Sequence, residues 1–310
     1  MSQEDGHQTE EQRIAERVRQ LKAEEERQRI DAEAQRIFLE EKEKERKEGN
    51  RIASQSLRGL LHETGMRALI RINELEVPFR WCPSGEFLMG TPFGWFTGQR
   101  RHRVRLTRGF WLMETPVTQQ MWQALVGSNP SAFSEGSASF FSLLHPLKEG
   151  SKNTHLFPVE SVSWEQCESF CRDLSKICGI PFSLPTSAEW EYACRAGSTG
   201  RFAGSGVLEE MGWFNGNSEG QPHQVGQKKP NAWGLCDMHG NVAEWCQDWS
   251  ECYFFSREIS DPQGPSQGLQ KVIRGGSWRD AADFCQSGHF LFLKPKKAKP
   301  NLGFRMKNSI

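Results

Sequence analysis

A chain of 310 residues is long enough for one large domain or two small ones. Lys plus Arg and Asp plus Glu each number 39, so the net charge is zero and no bulk charge favours nucleic acid or a membrane surface. Eleven Trp and 20 Phe against two Tyr, with 29 Gly, point to a loop-rich globule held by large rings.

The N-terminus, Met1 to Gly6, is polar and acidic and lacks the basic and apolar regions of a signal peptide. No run approaches the roughly 18 apolar residues of a membrane span. The nine Cys are spread along the chain, which with no export signal leads us to expect reduced thiols and a cytoplasmic location. Residues 1–48 hold 15 acidic and 11 basic residues, no Pro, and Phe38 as the one aromatic. This composition predicts a charged helix with i,i+4 pairs. Ile14, Val18, Leu21, Ala32 and Leu39 give a thin apolar spacing interrupted by Glu25, Gln28 and Gln35. Two outcomes stay open: a coiled coil that makes a homo-oligomer, or a solvated and partly disordered arm. Residues 49–77 become more apolar (Leu57, Leu60, Leu61, Leu69, Ile70, Ile72, Leu75) and are expected to form an amphipathic helical linker.

The main domain is placed at 78–308. Alternation around Gly85, between Phe79 and Gly90, predicts a short hairpin, and residues 102–112 alternate as one strand. Thr118 caps a helix over 118–127 with Met121, Trp122 and Leu125 as its buried stripe. Residues 128–156 form an irregular insertion. Ser163 caps a second helix with Trp164, Cys167, Phe170, Cys171, Leu174 and Ile177 on one face, closed by Gly179. Thr186 and Glu189 match a capping box that starts a third helix. Residues 197–235 are a long loop anchored by Trp213, Phe214 and Trp233.

Several blocks now occur in order: Phe157-Pro158-Val159 with Val162-Ser163-Trp164; Leu184-Pro185-Thr186 with Ala188-Glu189-Trp190-Glu191-Tyr192-Ala193; Asn231 to Trp245; Arg274-Gly275-Gly276-Ser277-Trp278; and Gly303-Phe304-Arg305. Together, over about residues 79–306, they resemble the formylglycine-generating enzyme, or sulfatase-modifying-factor, family. The resemblance implies an α+β fold, a variant of the C-type-lectin fold with little regular secondary structure. Members of that family include copper-dependent oxidases that turn a sulfatase cysteine into formylglycine, forms fused to an iron-binding helical domain, and display or binding proteins. Fold alone does not choose among them.

Aligned on the Gly-Gly-Ser-aromatic motif, Cys285 falls on the first cysteine of the oxidase pair, and the second position is Phe290. Two thiolates suit soft Cu(I), whereas a thiolate and a phenyl ring do not build that site. Cys285 is then a buried structural cysteine, or, in the oxidase alternative, a catalytic one with Cys246, Cys252 or His289 as the second ligand. Copper is implied only in that alternative. The resemblance also implies a Ca²⁺ turn with Asp237, Gly240, Val242 and Glu244 as ligands, carboxylates and carbonyls being suited to that ion. Against it stands a buried hydrogen bond or salt bridge at Glu244. Cys167 and Cys171 are one helical turn apart and are expected to be core.

Residues 286–300 carry four Lys, two Pro and no acid. In the lectin-like fold this segment lines the ligand face. The candidate binding residues are Trp278, Arg279, His289, Phe290, Lys294, Lys296 and Lys297, facing a protein or a small acidic ligand. A solvated Lys-Pro loop is the simpler alternative. Three functions follow from these residues: a binding module lacking the dithiol, an oxidoreductase with a rearranged site around Cys285, or a structural subunit built on its N-terminal helix.

Overall fold

The computed structural model describes residues 63–72, 75–91, 101–135, 137, 153–250 and 258–309, with scattered positions between 17 and 40. The chain divides into two compact units, Met1–Asn50 and Arg51–Ile310. In the first, every described residue is helical, and Arg36 pairs with Glu33 at 2.8 Å and with Glu40 at 3.7 Å. Such pairs add a few tenths of a kcal/mol (about 0.2–0.5) each to an exposed helix. Ile14, Val18 and Leu39, needed for a coiled-coil seam, lie outside the described residues. Among the described residues no helix is long and apolar enough to cross a membrane.

Among the described residues the second unit has three small sheets. The first runs Arg67–Ile72 (β1), Leu75–Cys82 (β2), Phe110–Met113 (β5), Lys307–Asn308 (β12) and Phe182–Ser183 (β6), all antiparallel. The second runs Phe290–Leu293 (β10), Lys271–Arg274 (β9), Ala243–Trp249 (β7) and Leu302–Gly303 (β11), with β11 parallel to β7. The third joins Gly85–Met89 (β3), His102–Leu106 (β4) and Glu258–Ser260 (β8).

Three predicted helices are present: Gln119–Val126 (α1), Trp164–Cys178 (α2) and Ser187–Arg195 (α3). Thr118, Ser163 and Thr186 cap them with their side-chain oxygens, and the last two close capping boxes with Gln166 and Glu189. A fourth short helix, Leu208–Met211 (α4), and a 3-10 turn at Ala282–Cys285 interrupt stretches that lack helical periodicity.

Three expectations are corrected. Within the expected helical linker, residues 67–72 and 75–77 are strand, and the first of these runs buries Ala68, Ile70 and Ile72 while Arg67, Leu69 and Arg71 face outward. That is a period of two, which a helix would scramble. Residues 51–62 of the linker lie outside the described residues. The expected hairpin at Gly85 does not form, because β2 pairs with β1 and β5 while β3 pairs with β4. The single strand at 102–112 is two strands in two sheets, broken at Gly109. A Cβ on Gly109 would lie 2.3 Å from the Trp81 ring, so only glycine lets the chain turn there.

The main core lies between the first sheet, α1 and α2. Trp122 stacks on Phe170 at 5.2 Å, and Phe304 meets both rings edge-on at 6.1 and 5.5 Å. Cys167 and Cys171 belong to this core, and burial pushes both thiols well up. Phe214 and Trp233 are buried anchors of the 197–235 loop, as expected; Trp213 is half-buried.

Candidate functional site

The predicted calcium turn, residues 237–244, is built by backbone in the left-handed region at Asp237, Gly240 and Asn241 (φ 54°, 84° and 60°). Gly240 fits because a Cβ there would lie 2.0 Å from the Trp213 carbonyl oxygen. The Asn241 amide clamps the His223 backbone, accepting from its N–H and donating to its carbonyl, both at 3.0 Å. Burial pushes Asp237 up to about 6, against a hydrogen bond from the Gly226 N–H at 2.7 Å.

The centre of this turn belongs to Arg305. Its guanidinium donates to both Glu244 oxygens at 2.7 Å and to the carbonyls of Cys236 and Asp237 at 3.0 and 3.4 Å. Glu244 Oε2 also accepts from Trp190 Nε1 at 2.7 Å. Both Glu244 and Arg305 are fully buried. The carboxylate is thus paired with an internal cation, and Ca²⁺ held by Asp237, Gly240, Val242 and Glu244 would compete with Arg305 for it. Among the described residues no group of three His, Cys, Asp or Glu side chains could hold a metal.

Cys285 ends the 3-10 turn with no solvent exposure, packed with Leu208, Phe214, Phe202 and Ala282. Burial pushes its thiol up to about 12, and the Asp280 charge adds to this. Gly276 makes room for the sulfur: a Cβ there would lie 2.7 Å from it. His239 Nδ1 donates to the Cys285 carbonyl at 2.8 Å, while Nε2 accepts from the Ala203 N–H at 3.0 Å. This fixes a neutral tautomer, and burial pulls His239 down to about 4.

Among the described residues, Cys246 is not packed with Cys285. Phe290 and Cys246 belong to a different packed cluster, and Cys252 lies outside the described residues. The acid whose charge reaches the thiol is Asp280, itself hydrogen-bonded by Ser277 Oγ.

The seven candidate binding residues separate into two groups. Arg279, Lys294, Lys296 and Lys297 are exposed. Trp278 is instead a core residue at 4 % exposure: its ring meets Phe133 edge-on at 5.3 Å and its Nε1 donates to the Pro300 carbonyl. His289 is buried against the Phe284 ring at 5.0 Å, and among the described residues neither ring nitrogen has a hydrogen-bond partner. Phe290 lies half-buried beneath the Arg274 guanidinium at 5.3 Å. For Trp278 and Phe290 the cause is that a large apolar ring gains more by burial than by display.

The segment after β10 is tied down through its backbone. The Pro295 carbonyl accepts from the Trp164 N–H, that of Lys299 from the Ser161 and Leu302 N–H groups, and that of Lys294 from the Lys297 N–H. The carbonyls are held while the lysine side chains remain exposed.

The family model of the sulfatase-modifying factor enzyme 1-like domain matches residues 78–310. The chain belongs to this family. A formylglycine-generating enzyme of Streptomyces coelicolor is 32% identical over 281 residues, covering 73% of this chain and 87% of that protein. Treponema denticola variable protein 1 is 29% identical with a TM-score of 0.70, over 79% of this chain and 99% of that one. PvdO from Pseudomonas aeruginosa, at 22% identity, is alike in fold, with a TM-score of 0.67 over 81% of this chain and all (100%) of that one. The α+β fold expected for the sulfatase-modifying-factor family is thus met.

On this sulfatase-modifying-factor frame the motif arginines carry a structural role that residue patterns did not announce. Arg274 donates to Glu191 at 2.9 Å and to Ser187 Oγ, and Arg195 donates to the other Glu191 oxygen at 2.8 Å. Glu191 also accepts from the Gly90 N–H at 2.8 Å. The available signal was position: Arg274 and Arg305 each stand among apolar or glycine residues, where an unpaired charge would be untenable.

Proposed function

We propose that this member of the sulfatase-modifying-factor family works as a binding module through the exposed basic face at 279–300. The observation that carries it is the backbone tethering of the stretch 286–300 within this face, which has four outward lysines and no acid. Such a surface attracts an acidic partner with little backbone ordering cost at binding. The surroundings of Cys285 support the same conclusion. Its cluster holds one sulfur, and its thiol is pushed up to about 12 by burial, with the Asp280 charge adding to the shift. One thiolate in an apolar cluster is a poor match for Cu(I).

The identity to the Streptomyces coelicolor enzyme favours a second reading, a formylglycine-generating oxidoreductase with a rearranged site around Cys285. One assay separates the two. Aerobic incubation with Cu(I) and a sulfatase-type cysteine peptide is expected to give no aldehyde by mass spectrometry. Turnover that disappears in Cys285→Ser would overturn the binding role as the main function.

A further inference from the structure

We infer that the outer edge of β10 binds an extended, acid-flanked segment of a partner protein by strand addition. This presupposes the binding role proposed for residues 279–300 and adds the mode and the chemistry of the partner. Among the described residues β10 pairs with β9 alone and so ends its sheet. Its residues are Phe-Leu-Phe-Leu, with no charge and no proline inside the strand. Natural proteins guard such an edge with Lys, Pro, a bulge or a covering loop, since its unpaired N–H and C=O groups are a template for another strand. Here Lys294 and Pro295 stand just past the strand, and among the described residues no strand pairs with the outer edge itself.

The strand is also rigidly seated. Phe290 and Phe292 pack on one core cluster and Leu293 on another, while Leu291 remains 46% exposed. An added strand would gain backbone hydrogen bonds along the edge and cover Leu291. Beyond Leu293 it would run past Lys294, Lys296 and Lys297, all exposed. No acid occurs from Gln286 to Pro300, so the charge at that end selects a segment with carboxylates beside its extended core.

The test uses the full chain and a short synthetic peptide of alternating valine and threonine, flanked by glutamates. Its comparison is the same peptide N-methylated at alternate residues, which keeps the charge and loses the backbone donors. The first peptide is expected to bind and to slow amide exchange at Leu291 to Leu293. The N-methylated one should bind about tenfold more weakly, the effect of a few lost backbone hydrogen bonds. Lys294→Glu/Lys296→Glu/Lys297→Glu should weaken both peptides and flatten the salt dependence. Equal binding of the two peptides, with no protection of residues 290–293, would overturn strand addition and leave the basic face intact. If polyglutamate and both peptides all fail to bind, the basic-face role falls as well.

Discussion

At the scale of single residues, the most informative pair is Arg305 and Glu244. Each is fully buried, and their charges are met by one another, by Trp190 and by three or more backbone carbonyls. Removing one partner leaves the other charged and dry. Arg305→Met or Glu244→Gln should therefore cost about 3–5 kcal/mol in denaturant unfolding. Neither Ca²⁺ nor a chelator should move the melting temperature. A calcium-dependent rise that vanishes in Glu244→Gln would refute the assignment of Arg305 as the cation of this turn. The motif Gly-Phe-Arg was legible in the sequence, as was Glu244. Their meeting was not, because it joins positions 61 residues apart, and a carboxylate reads the same whether a metal or a guanidinium faces it. The same limit applied at Cys285, where counting along the chain pointed to 290 and folding packed Phe290 against another cluster.

At the scale of elements, what could be read was local. The three capped helices carry their start signals within four residues of one another, and the side chains behave as the spacing requires. Ser163 accepts from the Gln166 N–H at 3.2 Å, and Gln166 Oε1 accepts from the Ser163 N–H at 2.8 Å. Ser163→Ala should cost about 1 kcal/mol in urea unfolding, with faster amide exchange in the first turn of α2. An unchanged midpoint would mean that packing of the Trp164 and Cys167 face starts this helix without the cap. Strands were harder to read because their partners are remote. β12 pairs with β5 and β6, and each of β6, β11 and β12 is two residues long, too short for any periodicity. In β1 the period was present but masked: Leu69, an apolar residue on the outward face, made the run resemble a helical stripe.

At the scale of the whole molecule, buried ionisable groups set how stability follows pH. Glu160 has no exposure and is raised by burial to about 8, despite hydrogen bonds from the Phe133 N–H and the Ser161 hydroxyl. An acid whose folded pKa lies above its ordinary 4.5 holds a proton in the native state that the unfolded chain has lost. Its contribution is full below 4.5 and is lost as pH rises through about 8. Asp237 and Asp248 act in the same sense, but only between their ordinary 3.8 and about 6. His239 and His289, lowered from 6.5 to about 4, act oppositely: their contribution is lost as pH falls through that range. The two pairs largely offset one another in acid. Lys271, lowered from 10.5 to about 8 by burial, enters only above that pH. Between pH 6.5 and 8, then, Glu160 acts nearly alone among these groups. Unfolding free energy is expected to fall across that window by about 2 kcal/mol, at roughly 1.4 kcal/mol per pH unit. Glu160→Gln should remove the slope while leaving stability near the lower pH close to that of the parent. Urea titrations of both proteins at several pH values decide it: a slope that survives the substitution would place the titrating group elsewhere.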